Sequence, residues 1–140
     1  MKANELMQGD YITFKDSIET DKTPLPVKVI CIGYVGRGIE NEALVEINGD
    51  ETCDIIEIDD ECVGIPITKE ILEKNFEKKT FYGIYDDYFD LDIREYSDGL
   101  YIVTYHSCEF NIPDQTIHVS WVHELQHFMR HCSIDKTIEL

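Results

Sequence analysis

Apolar and polar positions alternate with a period of two in short runs over residues 1 to 67, the spacing of half-buried β-strands. After a short helical or turn segment ending at Gly9-Asp10, the alternation predicts strands over Tyr11 to Phe14, Val27 to Tyr34, Ala43 to Ile47, Cys53 to Ile58 and Cys62 to Ile67. Asn48-Gly49-Asp50 is a hairpin turn, because Asn and Gly tolerate the positive φ that a two-residue connection needs. Residues 15 to 26, with Pro24 and Pro26, are a loop, and Asp59-Asp60-Glu61 is a solvated bend. Gly36-Arg37-Gly38 reads as a turn, since it lacks the third glycine and the following helix of a phosphate-binding loop. Five short strands joined by tight turns predict a small, bent SH3-like barrel.

The pattern changes at Thr68, an N-cap before a helix to about Phe76 with Ile71, Leu72 and Phe76 inward. Alternation then returns over Phe81 to Tyr85, Tyr88 to Tyr96, Leu100 to Tyr105 and Cys108 to Ile112. Turns are expected at Ser97-Asp98-Gly99 and Pro113-Asp114. The chain closes on a helix from an N-cap at Ser120 to about Cys132. At about 100° per residue, Trp121, Val122, Leu125, Phe128, Met129 and Cys132 gather on one broad side, with His123, His127 and His131 roughly opposite. The whole predicts an α+β fold, a β-rich SH3-like half over 1–67 and an antiparallel sheet with two helices over 68–140, the halves being either two small domains or one.

Composition narrows the function. A chain of 140 residues with 43% apolar content can bury a core, and its formal net charge is −17. Such a field opposes binding to nucleic-acid backbones or anionic membranes and favours a basic protein partner. The five cysteines, Cys31, Cys53, Cys62, Cys108 and Cys132, form no C-x-x-C pair and read as reduced thiols of a cytoplasmic protein. The opening residues lack an apolar signal-peptide core, and no apolar run is long enough to span a membrane.

The last helix carries the only motif that names a reaction, His123-Glu124-Leu125-Gln126-His127, an H-E-x-x-H. Two histidines one turn apart can hold zinc while the glutamate acts as general base on a bound water. His131 cannot complete the site, because eight residues of helix separate it from His123 by about 12 Å. A third ligand has to come from upstream, where His106, Cys108, Glu109, Asp114 and His118 are available. Without it, His123, Glu124 and His127 are solvated or second-layer residues of an amphipathic helix that packs through Leu125, Phe128 and Met129.

Three other groupings carry less chemistry. His106 and Cys108 share a face if they lie on one strand, a weak hint of an activated thiol. Asp86, Asp87, Asp90 and Asp92 lack the glycine and final glutamate of a calcium loop and read as a charged strand face. Tyr82, Tyr85, Tyr88, Tyr96, Tyr101 and Tyr105 lack the accompanying Lys and Arg of a base-stacking platform, so exposed tyrosine suits a peptide or protein partner better.

Three blocks, Glu5-Leu6-Met7-Gln8-Gly9-Asp10-Tyr11, Gly64 to Phe76 (GIPITKEILEKNF) and Trp121 to His127 (WVHELQH), together resemble a group of small uncharacterised proteins of Bacteroides-type bacteria, their phages and mobile elements. In that group the last block also occurs with Gln in place of Glu124 and Asn in place of His127. The resemblance therefore implies a structural helix rather than a protease centre. The sequence supports a non-enzymatic acidic interaction module without cofactor, and the resemblance implies a phage or mobile-element accessory protein. The alternatives are a zinc-dependent hydrolase with His123 and His127 as ligands and Glu124 as base, and a nucleic-acid mimic that blocks a DNA-binding protein.

Overall fold

A computed structural model describes residues 6–15, 26–32, 42–47, 53–58 and 62–140. The chain divides into two compact units, Met1–Ile65 and Pro66–Leu140. Both are built on antiparallel sheet, and the second carries two helices, so the fold is α+β.

In the first unit, β1 (Tyr11–Phe14), β2 (Val27–Ile32), β3 (Glu42–Ile47), β4 (Cys53–Glu57) and β5 (Cys62–Gly64) form a sheet of order β4-β3-β2-β1-β5. Ile12 sits between Val27 on one side and Gly64 on the other. The alternation buries Ile12, Val27, Val29, Val45 and Cys62 with Leu6 and Ile58 in one apolar cluster. Gly9, at φ 89°, lets the chain turn so that its N–H reaches the Val29 carbonyl at 2.7 Å, while the Asp10 carbonyl accepts from Val29 at 2.8 Å. Among the described residues the sheet stays open, with β4 and β5 as its outer strands. The expected turns at 36–38 and 48–50, the bend at 59–61 and residues 16–25 of the expected loop lie outside the described residues.

The second unit opens with α1 (Lys69–Asn75), where the Thr68 hydroxyl accepts from the Ile71 amide at 3.3 Å. A meander of β6 (Glu77–Lys78), β7 (Tyr82–Tyr85), β8 (Phe89–Ser97), β9 (Leu100–Ser107) and β10 (Gln115–Val119) follows, and α2 (Val122–His131) comes after it. Strands of the meander pair in chain order, so each is hydrogen-bonded to its sequence neighbours. The register places Ile84, Leu91, Val103 and Ile117 with Ile93 and Val119 on one face. Leu91, Ile93, Val103 and Val119 are fully buried there, as are Leu72 of α1 and Leu125 and Met129 of α2. The other face carries Asp90, Asp92, Arg94, Thr104, His106, Thr116 and His118. Ile102, between Arg94 and His118, is the buried apolar residue of that second face, and burial is otherwise concentrated on one side, as is usual for an antiparallel sheet with one face on a core.

Two sequence expectations are corrected here. The expected strand Cys108 to Ile112 is an irregular loop with Asn111 at φ 77°, and the strand pairing with β9 is Gln115–Val119 instead. Apolar alternation at Phe110 and Ile112 therefore reports exposure rather than pairing. The expected fifth strand to Ile67 ends at Gly64, and Pro66 forms an isolated antiparallel bridge with Trp121.

After α2 the chain reverses through a Schellman turn. Ser133, at φ 61°, donates to the Arg130 carbonyl at 3.0 Å, and Ile134 donates to the Met129 carbonyl at 2.8 Å. Residues 134–140 then run back between two side-chain amides. Gln126 Nε2 donates to the Lys136 carbonyl at 2.6 Å and its Oε1 accepts from Ile138 N–H at 2.9 Å. Asn75 Oδ1 accepts from Glu139 N–H at 2.8 Å, and its Nδ2 donates to the Glu139 carbonyl at 2.7 Å and the Ile71 carbonyl at 2.8 Å. Ile134 and Ile138 are buried by this arrangement.

Candidate functional site

The H-E-x-x-H helix begins one residue later than its sequence suggests. Trp121 is the N-cap, and an indole has a donor but no acceptor to offer the first-turn amides. Glu124 reaches back to the cap, its Oε2 accepting from Ser120 N–H at 2.8 Å and from the N-cap's own Trp121 N–H at 3.2 Å. A carboxylate at this position also suits the positive end of the helix dipole. Ser120 is withheld from capping because its backbone is committed to an extended run, its carbonyl accepting from Ile67 N–H at 3.0 Å.

The three histidines expected roughly opposite the apolar side are graded in burial. His123 is buried, His127 half-buried and His131 exposed, because Val122, Leu125, Gln126, Phe128 and Met129 make the buried arc wide enough to take in His123. The His123 and His127 rings lie edge to face with centroids 5.8 Å apart. His127 and His131 line an open groove of about 480 Å³ with Glu124 and Phe128 of α2 and residues 115–118 of β10.

The upstream residues considered as a third ligand are dispersed. His106 Nδ1 is bonded to Asp114 Oδ1. His118 meets Tyr96 edge to face at 5.8 Å, and Cys108 is exposed beyond the end of β9. Among the described residues no group of three or more His, Cys, Asp or Glu is gathered where it could hold a metal ion. His106 and Cys108 do not share a strand, since β9 ends at Ser107.

The aspartates are likewise divided. Asp86 caps its own turn, accepting from Tyr88 N–H at 3.0 Å, and Asp92 accepts from the Tyr85 hydroxyl at 2.9 Å. Desolvation and then the Asp92 hydrogen bond push the Tyr85 phenol up to about 12. Asp90 stands opposite His106 across the β8–β9 ladder. The Asp114 hydrogen bond, then its charge and the weaker charge of Asp90, raise the His106 pKa above 6.5.

The tyrosines do not form one platform. Tyr101 is buried and Tyr105 stacks on Phe89 at 5.6 Å, both on the apolar face, while Tyr82 and Tyr85 each lie under a lysine at 4.0 Å. Tyr88 and Tyr96 are the exposed pair, at 75% and 67%.

Tyr88 belongs to a feature the periodicity concealed. The loop after β9 meets the turn before β8 where Cys108 N–H donates to the Tyr88 carbonyl at 2.8 Å. On these two connections Phe110 is 92%, Tyr88 75% and Ile112 42% exposed. The exposed carboxylates of Asp86, Asp87, Glu109 and Asp114 belong to the same two connections. An apolar tip with an acidic surround is the result.

No family model, curated protein or solved structure matches this chain. Its functional reading therefore rests on the surfaces themselves. Among the described residues no helix is long and apolar enough to cross a membrane.

Proposed function

We propose that the protein is a non-enzymatic, acidic protein-interaction module whose second unit engages a basic protein through the tip formed by Tyr88, Phe110 and Ile112. The observation that carries this reading is the near-complete exposure of Phe110, at 92%, and of Tyr88, at 75%, on two carboxylate-rich connections joined by the Cys108–Tyr88 backbone bond. Leaving such rings in water is unfavourable for the free chain, at about 25 cal/mol per Å² of apolar surface. Burying them in a partner recovers that energy. Aromatic anchors with a charged rim are the anatomy of an interaction hot spot, and the net charge of −17 selects a cationic partner and speeds encounter with it.

Finer parts of the reading have their own supports. For the first unit, an SH3-like architecture is supported by the order β4-β3-β2-β1-β5 and by the register shift between Val29 and Cys31, which would bend β2 across two sheets. A cytoplasmic location is supported by the free thiols of Cys108 and Cys132. The assignment to phage or mobile-element accessory proteins rests on the three sequence blocks alone.

Peptide display against the immobilised chain tests the tip. Selected peptides should carry an apolar residue among Lys and Arg, bind less well as salt is raised, and lose roughly 30-fold in affinity to a Phe110→Ser variant. Undiminished binding to Phe110→Ser and to Tyr88→Ala would remove the tip from the proposal.

A further inference from the structure

β10 ends its sheet, with β9 as its one strand neighbour among the described residues. Ser120, which continues β10, turns both backbone groups away from β9. Its carbonyl accepts from Ile67 N–H at 3.0 Å and its own N–H donates to Glu124 Oε2 at 2.8 Å. Backbone groups along a strand change sides with a period of two, so the N–H and C=O groups of His118 and Thr116 face the same outer edge as those of Ser120.

These groups border the groove of about 480 Å³ whose far wall is Glu124, His127, Phe128 and His131 of α2. One wall thus offers donors and acceptors at strand spacing, and the other offers an aromatic side chain and polar heads. That combination fits an extended polypeptide better than a compact small molecule, because only a β-strand repeats donor and acceptor at the same interval. The same edge already holds extended chain, since Pro66 bridges Trp121 in antiparallel fashion where Ile67 joins Ser120. Thr68 then leaves the edge by capping α1, and the edge of β10 toward Gln115 lies beyond that departure.

We propose that the groove between β10 and α2 takes an extended segment of a partner protein as an added antiparallel strand. The segment hydrogen-bonds to Thr116 and His118, sets an apolar side chain against Phe128 and Ile117, and carries Lys or Arg in its flanks to match the charge of −17. Five residues of β10 at about 3.4 Å each limit the paired stretch to roughly 17 Å, a pentapeptide or hexapeptide.

The probes are three synthetic hexapeptides: one with Ile or Val at alternate positions and Lys or Arg at the ends, the same peptide N-methylated at alternate residues, and an acidic-ended counterpart. Fluorescence anisotropy and amide hydrogen exchange on the full chain report binding and its location. The basic peptide should bind, slow exchange at Thr116 and His118, and weaken at least tenfold on N-methylation, with Phe110→Ser unchanged in all three respects. Equal binding of the N-methylated peptide, preference for the acidic one, unaltered exchange at Thr116 and His118, or no binding by any of them would overturn the proposal. Concentration-dependent protection of the same amides without peptide would replace the partner segment by a second copy of this chain, and would overturn it as well. Loss of peptide binding in Phe110→Ser would assign the peptide to the tip, so the two surfaces fail separately.

Discussion

Gln126 and Ile138 are joined by a hydrogen bond of 2.9 Å from the Ile138 amide to Oε1, while Nε2 of the same side chain holds the Lys136 carbonyl at 2.6 Å. The variable fourth position of the H-E-x-x-H pentad is therefore a strap for the C-terminal segment, and Asn75 of α1 holds Glu139 in the same two-handed way. Both amides are buried, so each satisfies backbone groups that water does not reach.

Gln126→Leu keeps the volume but removes the partners of two backbone groups, each costing about 1–3 kcal/mol when left buried and unmade. Urea denaturation should show a loss of that order, and hydrogen exchange at Ile138 should rise. A Gln126→Leu protein as stable as the parent, with Ile138 still protected, would show that the strap is held by the burial of Ile134 and Ile138 alone.

Glu124 is the carboxylate of a helix cap, and its substitutions should grade accordingly. Glu124→Ala removes the acceptor of Ser120 and Trp121 and should destabilise by roughly 0.5–2 kcal/mol, whereas Glu124→Gln retains an oxygen and should cost less. Thermal unfolding of the two variants separates these cases. A zinc-dependent hydrolase makes a different demand: Glu124→Gln would abolish turnover without a matching loss of stability, and stoichiometric zinc would be lost from His127→Asn.

His106 should titrate above its ordinary 6.5, because Asp114 accepts its hydrogen bond and, with Asp90, stabilises the imidazolium. A raised folded-state pKa means that the native chain binds the proton more tightly than the unfolded one. The contribution to stability is then fully present below 6.5 and is lost as pH rises through the raised value. Proton NMR of the imidazole should place its midpoint above 6.5 and return it toward 6.5 in Asp114→Asn. An unchanged midpoint in that variant would remove Asp114 as the cause. Both groups are exposed, so the effect belongs to the order of the 108–114 loop more than to global stability.

The alternation of side chains was sufficient to place β1 at Tyr11–Phe14, α1 after Thr68, the turn at Asp98-Gly99 and the amphipathic α2, since each rests on local periodicity and a local capping or turn residue. It failed at 108–112 and 115–119, where Phe110 and Ile112 mimic a strand and the real edge strand, half-solvated, has a weaker pattern. The H-E-x-x-H letters named a chemistry, but letters carry no information about what a carboxylate touches. Gln126 left a trace in the sequence, a polar residue on the apolar arc of α2 beside Leu125 and Met129. Its partners lie 10 and 12 residues away, and no spacing rule links them.

By itself, then, the sequence determined the α+β class, the acidic field and the positions of most elements, because these depend on nearest neighbours along the chain and on charge that needs no geometry. The tertiary structure alone decided that Glu124 caps a helix, that the connections carrying Tyr88 and Phe110 are joined by the Cys108–Tyr88 backbone bond at one end of a sheet, and that β10 lines a groove with α2. Those relations come from the closure of strand pairs and from burial, in which residues far apart in sequence compete for the same hydrogen bonds and the same space.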